Sequence, residues 1–467
     1  MIIEIGAEIR IDIKDKISEN THPGGDVQKV LNKIEKANTF PNPQHAENIR
    51  MGYSNWGTPR KLELYRWEDG VLILPRGFWK DLMYIIKINN IEFIISDKCI
   101  TNEVNYFLNT QEREPWILRN YQLHCVRAAT DSIQGCIVSP TGSGKSLIGL
   151  EIMVRRGQKS LVLVHRVDLA MQWADVINKR LGLKCGLIAG DSWQLGEEIT
   201  IAMIQSLHSR KDKFKEIASQ FGLVLTDECH HIPSDSFYDV IAMIPAKYRY
   251  GLSATPRRRD GLEILIYRAI GPCIATVERE EVESLGATVP VTVHVLKTGF
   301  DPGLVKSWND YLQAITDDGE RNFIIMRLAN LFDNNAKRLI LVDRVEHAEF
   351  LSELMIDAGI DHVLAHGKIK KKDRSELMEK IKSARITVGA TGLLGEGLDV
   401  SAWEILILAS PISSEIKLLQ AIGRVVRSCP GKEGALVYDL KDDCGFAGAS
   451  FKKRLKIYND NNIKVIL

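Results

Sequence analysis

The sequence lacks the features that mark membrane-spanning, secreted or disordered chains. It contains no apolar run of the ~18 residues that a membrane-spanning helix needs. The first residues, "MIIEIGAEIRIDIKDKISEN", carry acids where a secretory signal would have an apolar core. No segment is of low complexity, and hydrophobic residues make up 45% of the chain. These absences and this composition predict a globular protein with sizeable cores.

Disulfides and a strong net charge are also missing. The eight cysteines are scattered along 467 residues without a C-x-x-C pair, which predicts free thiols in a reducing compartment such as the cytoplasm. Because 61 basic residues face 60 acidic ones, any surface for nucleic acid must be a local patch. The length suggests about three domains.

The first part of the chain has the pattern of a small α+β domain, which we place at residues 1–112. "KLELYRW" (61–67) and "GVLILP" (70–75) both read as strands, and Asp69-Gly70 between them is a turn signal. Together they predict a β-hairpin. "GFWKDLMYIIKINN" then predicts a helix.

Short apolar strands alternate with helices through the rest of the chain. Such alternation predicts parallel sheets covered on both faces by helices. The alternation restarts near residue 290, so we predict two α/β domains, at 113–290 and 291–467. The strands of the first are expected at 135–140, 160–166, 200–204, 221–228 and 248–255, and those of the second at 338–343, 362–367, 386–391, 404–410 and 434–440.

"SPTGSGKSLIGLEIMV" predicts a phosphate-binding loop between a strand and a helix. Gly142 and Gly144 let the backbone N–H groups turn inward, and the helix N-terminus adds a partial positive charge. Lys145 would reach the β- and γ-phosphates of a nucleotide, and the Ser146 hydroxyl would ligate Mg²⁺. The strict pattern has glycine where this chain has Ser139. The expected binding residues here are Thr141, Gly142, Ser143, Gly144, Lys145 and Ser146.

"VLTDECHHIP" (224–233) raises two interpretations. As a buried strand it delivers Asp227 and Glu228 to its carboxyl end, where α/β sheets bind ligands. Asp227 would then hold Mg²⁺, and Glu228 would activate a water molecule. The alternative is a zinc site that includes Cys229 and His230. Consecutive residues point in different directions and no second Cys/His pair follows nearby, so the acid pair is favoured.

Several motifs in order resemble the superfamily 2 helicases of the DExH type, over roughly residues 115–440. Besides the phosphate loop and "DECH", they are "ILRNYQ" (117–122), "SAT" (253–255), "ATGLLGEGLDV" (390–400) and "QAIGRVVR" (420–427). The resemblance implies two tandem RecA-like parallel-sheet domains. It also implies that Gln122 reads adenine, that Asp399 contributes to the nucleotide site, and that ATP and Mg²⁺ are bound.

The last of these motifs carries two arginines. Gln420, Arg424 and Arg427 are spaced at i, i+4 and i+7, which predicts one face of one helix. The resemblance implies that Arg427, with Arg424 beside it, acts on the γ-phosphate as an arginine finger. It also implies that Gln420 bonds toward His230.

Nucleic-acid contacts are expected at strand ends. The resemblance points to Arg166, Gln205, Ser206, Arg344 and Thr391 as ligands of the phosphate backbone, with "PRRRD" (256–260) either a further contact or solvated charge. In "IRMGYSNWGTPRKLELYRW" (49–67), aromatic and basic residues alternate. Such a mixture suits stacking on bases, but the same residues could form a small core.

We therefore expect an ATP-dependent DNA helicase or translocase. "YSNWGTPRKLELY…GVLILPRG" also resembles the N-terminal module of phage recombination helicases of the UvsW type, which act on branched DNA. We expect a monomer acting on branched, forked or duplex DNA in a bacterial or phage-infected cytoplasm, without a membrane partner. An RNA helicase and the translocating subunit of a restriction system remain alternatives. A phosphate-loop kinase or nucleotide switch would not need paired arginines in a second domain.

Overall fold

The computed structural model describes residues 1–13, 25–106, 116–231, 235–254, 262–331, 336–366, 374–391, 400 and 402–467. These residues divide into two compact units, one of residues 1–139 and 144–277 and the other of residues 140–143 and 278–467. The first unit contains an N-terminal module (residues 1–97) and an α/β domain.

The N-terminal module is a five-stranded sheet covered by helices. Its strands lie in the order β5-β6-β2-β1-β7, and only the β1–β7 pair is parallel. Isoleucines and leucines that alternate along the strands pack against the helices to form its core. The elements are β1 Ile2–Ile5, β2 Ile9–Asp12, α1 Gly25–Ala37, β3 Thr39–Pro41, α2 Pro43–Met51, β4 Lys61–Glu63, β5 Arg66–Glu68, β6 Val71–Leu74, a 3₁₀ turn at Arg76–Phe78, α3 Trp79–Ile88 and β7 Ile94–Asp97.

The predicted hairpin is confirmed, but its first strand is shorter than predicted. Glu68 pairs with Val71 across a turn in which Asp69 and Gly70 both have positive φ, as a two-residue hairpin requires. The prediction of one strand over 61–67 is wrong. β4 pairs with β3 in a separate two-stranded sheet, because the chain changes partner at residues 64–65.

The α/β domain of the first unit is built on an eight-stranded sheet. The order is β11-β10-β12-β9-β13-β14-β8-β15, and every pair is parallel except β10–β11. All five predicted strands are present. The elements are α4 Asn120–Thr130, β8 Gln134–Val138, α5 Lys145–Arg156, β9 Ser160–Val164, α6 Val167–Leu181, β10 Gly186–Ala189, β11 Ser192–Trp193, β12 Ile199–Met203, α7 Ile204–Ser209, α8 Lys211–Ala218, β13 Leu223–Thr226, a 3₁₀ turn at Cys229–His231, α9 Asp235–Ile241, β14 Tyr248–Ser253, α10 Glu263–Ala269 and β15 Cys273–Thr276.

The second unit contains a seven-stranded sheet of parallel pairs in the order β18-β19-β17-β20-β21-β16-β22. Separate apolar clusters lie on either side of it. Both α/β sheets therefore have the predicted RecA-like arrangement. The elements are α11 Arg279–Ser284, β16 Val291–Lys297, α12 Trp308–Asp317, α13 Gly319–Asn330, β17 Lys337–Val342, α14 Val345–Asp357, β18 Val363–Ala365, α15 Arg374–Ser383, β19 Ile386–Ala390, β20 Trp403–Leu408, α16 Glu415–Val425, β21 Ala435–Lys441, α17 Gly445–Asp460 and β22 Lys464–Ile466.

Buried arginines fasten the N-terminal module to the α/β domain of the first unit. Arg76 of the module donates to the carbonyls of Gly6 and, across the contact, Lys247. In return Arg249 of β14 donates to the carbonyl of Ala7 at 3.1 Å. Burial lowers the pKa of Arg249 to about 9, so this guanidinium is charged at neutral pH and is stabilised there by carbonyl dipoles.

A third arginine and a glycine complete this contact. Arg268 of α10 donates to Asp81 Oδ2 at 2.7 Å and to the carbonyl of Ala37 at 3.2 Å. A Cβ atom on Gly77 would lie 2.0 Å from the carbonyl oxygen of Tyr267, so only glycine permits this approach of the two backbones. The module and the domain therefore pack as one body.

Among the helices that the structure describes, none is both long and apolar enough to cross a membrane.

Candidate functional site

The predicted phosphate loop follows β8 and opens α5. Gly142 and Gly144 have φ of 89° and 80°, a region that favours glycine and turns successive N–H groups toward one side. Lys145, the first residue of α5, lies 3.4 Å from the carbonyl oxygen of Ser139. Ser139 is fully buried at the strand end, which explains why a small residue other than glycine is accepted there.

The acid pair stands at the end of β13, whose four residues are buried. Glu228 has φ of 48°, unusual for a residue with a side chain, and this turn separates its direction from that of Asp227. Glu228 Oε1 lies 3.7 Å from Lys145 Nζ. The phosphate-loop lysine and the second acid therefore meet at the carboxyl edge of the sheet.

Asp227 is held by two N–H donors. Its Oδ1 accepts from the backbone N–H of Glu228 at 2.9 Å, and its Oδ2 accepts from the indole Nε1 of Trp173 at 2.8 Å. Burial and the neighbouring charge of Glu228 raise the pKa of Asp227, and the Trp173 hydrogen bond opposes that rise. A fixed carboxylate beside a lysine suits a Mg²⁺–phosphate ligand.

Trp173 was missed by the sequence analysis, together with the glycine that makes room for it. Trp173 lies on the buried face of α6 and is 1% exposed. A Cβ on Gly149 in α5 would come within 2.8 Å of the indole ring. The apolar spacing of α6 predicts that Trp173 is buried, but it contains no sign of the carboxylate that the indole meets.

His230 connects the acid pair with Ser253 of the "SAT" motif. Its Nδ1 lies 3.3 Å from Glu228 Oε2 and 3.1 Å from the hydroxyl of Ser253 at the end of β14. The expected bond between His230 and Gln420 stays a prediction, because the two residues lie in different units. Cys229 is buried within the apolar cluster, and its thiol pKa is raised well above the usual value, first by the neighbouring Cys136 thiol and then by burial. Such a thiol is a packing residue, not a thiolate ligand.

Gln122, the expected adenine reader, is buried in the first turn of α4. Its Oε1 accepts from the backbone N–H of Arg119 at 2.9 Å, a capping interaction. A Cβ on Gly144 would lie 2.6 Å from its Nε2. The Gln122 amide thus caps α4 and lies against the phosphate loop.

The prediction that Arg427 lies on the helix of Gln420 and Arg424 is wrong. Helix α16 ends at Val425, and Arg427 makes an isolated bridge with Thr288. Gln420 and Arg424 are buried on α16, one turn apart. Arg424 therefore lies on a helix and Arg427 on an extended segment. Their spacing in the sequence does not show how their side chains are oriented relative to each other.

The strand-end candidates fall into two kinds. Arg166 and Gln205 follow the neighbouring strands β9 and β12, while Ser206 is buried and its hydroxyl accepts from the N–H of Gly190. Ser206 is thus a structural residue in this arrangement and does not present its side chain at the surface.

In the second unit, Arg344 and Thr391 follow the neighbouring strands β17 and β19. The Thr391 hydroxyl donates to Asp343 at 3.2 Å, and Arg344 donates to Gln313 at 2.8 Å. Both residues therefore lie at the same edge of the sheet, and hydrogen bonds to neighbouring residues orient their side chains.

Some predictions lie outside the described residues. They concern Asp399 and most of "ATGLLGEGLDV", Thr255 and the run at 256–260.

The N-terminal aromatic and basic residues separate into core and surface. Tyr65 packs against the core of the module, and Arg66 pairs with Glu8 and Glu68. Trp67 donates its indole N–H to Glu35. Tyr53 and Trp56, by contrast, are exposed.

Two domain families match the chain. Residues 116–258 match "Type III restriction enzyme, res subunit", and residues 323–429 match "Helicase conserved C-terminal domain". With the tandem parallel sheets and the site geometry, these matches show that the chain belongs to the superfamily 2 helicases. It is an ATP-dependent DNA helicase.

Curated relatives support this placement. The chain is 29% identical to "Putative helicase 22" of Sulfolobus islandicus filamentous virus, over 74% of this chain and 68% of that protein. It is 26% identical to "Probable helicase D10" of Escherichia phage T5, over 71% and 73%. It is 28% identical to "DNA 3'-5' translocase XPB2" of Sulfurisphaera tokodaii, over 68% and 80%.

Two solved structures were compared. "ATP-dependent Type ISP restriction-modification enzyme LlaBIII bound to DNA" matches 80% of this chain and 32% of that chain, with a TM-score of 0.58 and 15% identity, and shares its fold. "The crystal structure of T4 UvsW" aligns over 100% of this chain and 99% of that chain, with 19% identity and a TM-score of 0.44.

Proposed function

We propose that this helicase hydrolyses ATP at the site of Lys145, Asp227 and Glu228 and uses the energy to move branch points in DNA. The observation that carries the hydrolytic part is the approach of Lys145 to Glu228 at 3.7 Å, at the carboxyl edge of a parallel sheet. The branched substrate is supported by the resemblance of the N-terminal module to that of UvsW-type helicases.

The residues fit a triphosphate with Mg²⁺. Lys145, held between Ser139 and Glu228, supplies positive charge where the glycine loop presents its N–H groups. Ser146 and Asp227 would hold Mg²⁺, which neutralises phosphate charge when it is bound. Gln122 would contact the adenine, and Asp399, Arg424 and Arg427 would act on the nucleotide as their motifs imply.

Glu228 is proposed to accept the proton of the attacking water. The water oxygen forms a bond to the γ-phosphorus, and the bond from that phosphorus to the bridging oxygen breaks, so that ADP leaves. The proton on Glu228 then passes to the released phosphate. His230, within 3.3 Å of Glu228 and 3.1 Å of Ser253, would report the state of this acid to the "SAT" motif.

We further propose 3′-to-5′ translocation, because the Sulfurisphaera relative is named a DNA 3'-5' translocase. Arg166, Gln205, Arg344 and Thr391 are the proposed ligands of the DNA backbone. The test uses synthetic Holliday junctions and forks with a 3′ or a 5′ single-stranded tail. ATP-dependent separation of junctions and of 3′-tailed forks is expected, and equal inertness on all branched substrates would contradict the proposal.

A restriction-system translocase is a second candidate, because the family that matches residues 116–258 is named after a subunit of a restriction enzyme. Such a subunit would move on unbranched duplex. Triplex displacement from a linear duplex, in place of junction separation, would favour this candidate, while unwinding of RNA alone would favour an RNA helicase. The eight free cysteines support our proposal that the protein works in a reducing cytoplasm.

A further inference from the structure

One loop of the N-terminal module presents a tryptophan to solvent. Residues 52–60 connect α2 to β4, and in this loop Trp56 is 95% exposed and Tyr53 is 65% exposed. An aromatic side chain stabilises a fold by removing a large apolar area from water. Trp56 removes almost none, so its contribution to folding is small and its surface is available to a partner.

The loop is ordered in spite of this exposure. The Asn42 side chain donates to the carbonyl of Pro59 at 2.9 Å, and the backbone N–H of Asn42 donates to the carbonyl of Arg60 at 3.1 Å. The side chain of Asn55 donates to the carbonyl of His45 in α2 at 3.3 Å. The base and the middle of the loop are thus tied down, and a partner that binds Trp56 need not order the loop first.

The charge around the loop selects an anionic partner. Between residues 42 and 61 the basic side chains are Arg50, Arg60 and Lys61, and the only acid in that stretch of sequence is Glu47. Glu47 pairs with Arg50 at 3.0 Å. Arg60 and Lys61 are exposed and follow Trp56 closely in the sequence. Exposed rings flanked by basic groups are the combination that binds unpaired nucleic-acid strands, through stacking and phosphate neutralisation.

The strand pair at the base of the loop contacts the ATP-binding domain. Strand β3, which pairs with β4 at the end of the loop, contains Phe40, whose ring centroid lies 5.8 Å from the guanidinium of Arg268 in α10. The same guanidinium donates to Ala37 just before β3. An unpaired base held at Trp56 would therefore move with the domain that carries Lys145 and Glu228.

We infer that Trp56 stacks on an unpaired DNA base at the branch point, with Arg60 and Lys61 neutralising the adjacent phosphates. The inference rests on the proposed action at branched DNA and adds the residue that recognises the unpaired strand. Duplex ends and fully paired DNA would not offer this surface a free base.

The test compares the full-length wild type with Trp56→Ala, Trp56→Phe and Leu304→Ala. Leu304 is a fully exposed apolar residue of the second unit and serves as the matched control. Affinity is measured by fluorescence anisotropy for a fork with unpaired oligothymidine arms and for a blunt duplex. Trp56→Ala is expected to weaken fork binding by about tenfold or more, as the loss of one stacked base does. Trp56→Phe should retain most of the affinity, and Leu304→Ala all of it.

A second readout reports stacking itself. Oligothymidine should quench wild-type tryptophan fluorescence more than that of Trp56→Phe, because only the wild type has an indole in the loop. Unchanged fork affinity in Trp56→Ala would overturn the inference. A wild type that sediments as a dimer and a Trp56→Ala variant that sediments as a monomer would also overturn it, because the surface would then bind a second copy of the chain. If the wild type itself fails to act on branched DNA, the proposed function fails instead.

Discussion

Lys145 Nζ and Glu228 Oε1 lie 3.7 Å apart, between the helix that opens after the glycine loop and the end of a buried strand. Both side chains are mostly shielded from solvent. The ion pair orients both the lysine that would bind phosphate and the acid that would activate water. One contact therefore positions both side chains.

Replacing the acid of this pair tests its role. Glu228→Gln preserves the size of the side chain but removes the proton acceptor, so we expect the ATPase rate to fall by about 10²–10⁴-fold while nucleotide binding persists. Single-turnover hydrolysis and equilibrium binding of a fluorescent ATP analogue measure the two separately. Glu216→Gln, an exposed position on α8, is the control. A rate near that of the wild type in Glu228→Gln would remove Glu228 from the mechanism.

Trp173 is expected to position Asp227 for Mg²⁺. Trp173→Phe keeps the aromatic ring but loses the indole donor, a charge-assisted hydrogen bond worth about 1.5 kcal/mol or more. We expect the Mg²⁺ concentration for half-maximal ATPase activity to rise by roughly tenfold. The measurement is a Mg²⁺ titration at constant ATP.

Trp403→Phe is a closely matched control for that titration. Trp403 is fully buried in the second unit, and its indole N–H has no hydrogen-bond partner within the described part of the chain. Its replacement should leave the Mg²⁺ dependence unchanged. Equal Mg²⁺ curves for Trp173→Phe and the wild type would show that the indole only fills space.

Gly77 should be essential to the docking of the N-terminal module. Gly77→Ala places a Cβ 2.0 Å from the carbonyl oxygen of Tyr267, and overpacking of this kind costs about 1–3 kcal/mol. We expect a lower melting temperature and faster proteolytic release of the module. Gly448→Ala, in helix α17 with open space around its Cβ, should be neutral or stabilising by up to about 1 kcal/mol. Identical effects of both substitutions would contradict the close approach at Gly77.

Lys432 provides a pH test of the second unit. Burial lowers its pKa to about 8, and its ammonium group donates to the carbonyl of Arg427 at 2.9 Å. In the unfolded chain Lys432 keeps its usual, higher pKa, so above pH 8 the unfolded state binds more protons than the folded state. The stability contributed by this group therefore increases as the pH rises from about 8 toward the usual lysine pKa.

The corresponding experiment compares melting temperatures of the wild type and Lys432→Met at pH 7 and pH 9.5. The melting temperature of the wild type should increase relative to that of Lys432→Met at the higher pH. Relative to Lys453→Met, at an exposed position, it should show no such change. A wild-type advantage that shrinks with rising pH would contradict the lowered pKa.

The parallel sheets and the ATP site could be predicted because their signals are local. A strand, a glycine loop and a helix follow one another around Lys145, and Asp227 and Glu228 follow a strand that is buried throughout. The carboxyl ends of parallel strands meet at one edge of a sheet, so these separate motifs had to converge. The position of Arg427 was predicted wrongly because helix α16 ends two residues earlier, a boundary that side-chain spacing alone does not give.

Contacts between distant segments could not be predicted. Arg249 is the only charged residue of strand β14, so its guanidinium needs hydrogen-bond acceptors. The sequence does not identify one of them, the carbonyl of Ala7, some 240 residues away. The indole of Trp173 and the carboxylate of Asp227 are separated in the same way. In each case the partner is a backbone group or a side chain that tertiary packing selects.

The most direct test of the account is ATP hydrolysis by the wild type across matched substrates: no polymer, blunt duplex, single strand, fork, Holliday junction and RNA duplex. The account predicts strong stimulation by fork and junction DNA, weaker stimulation by blunt duplex, and abolition of all of it in Glu228→Gln. A hydrolysis rate that is the same with and without every polymer would contradict it.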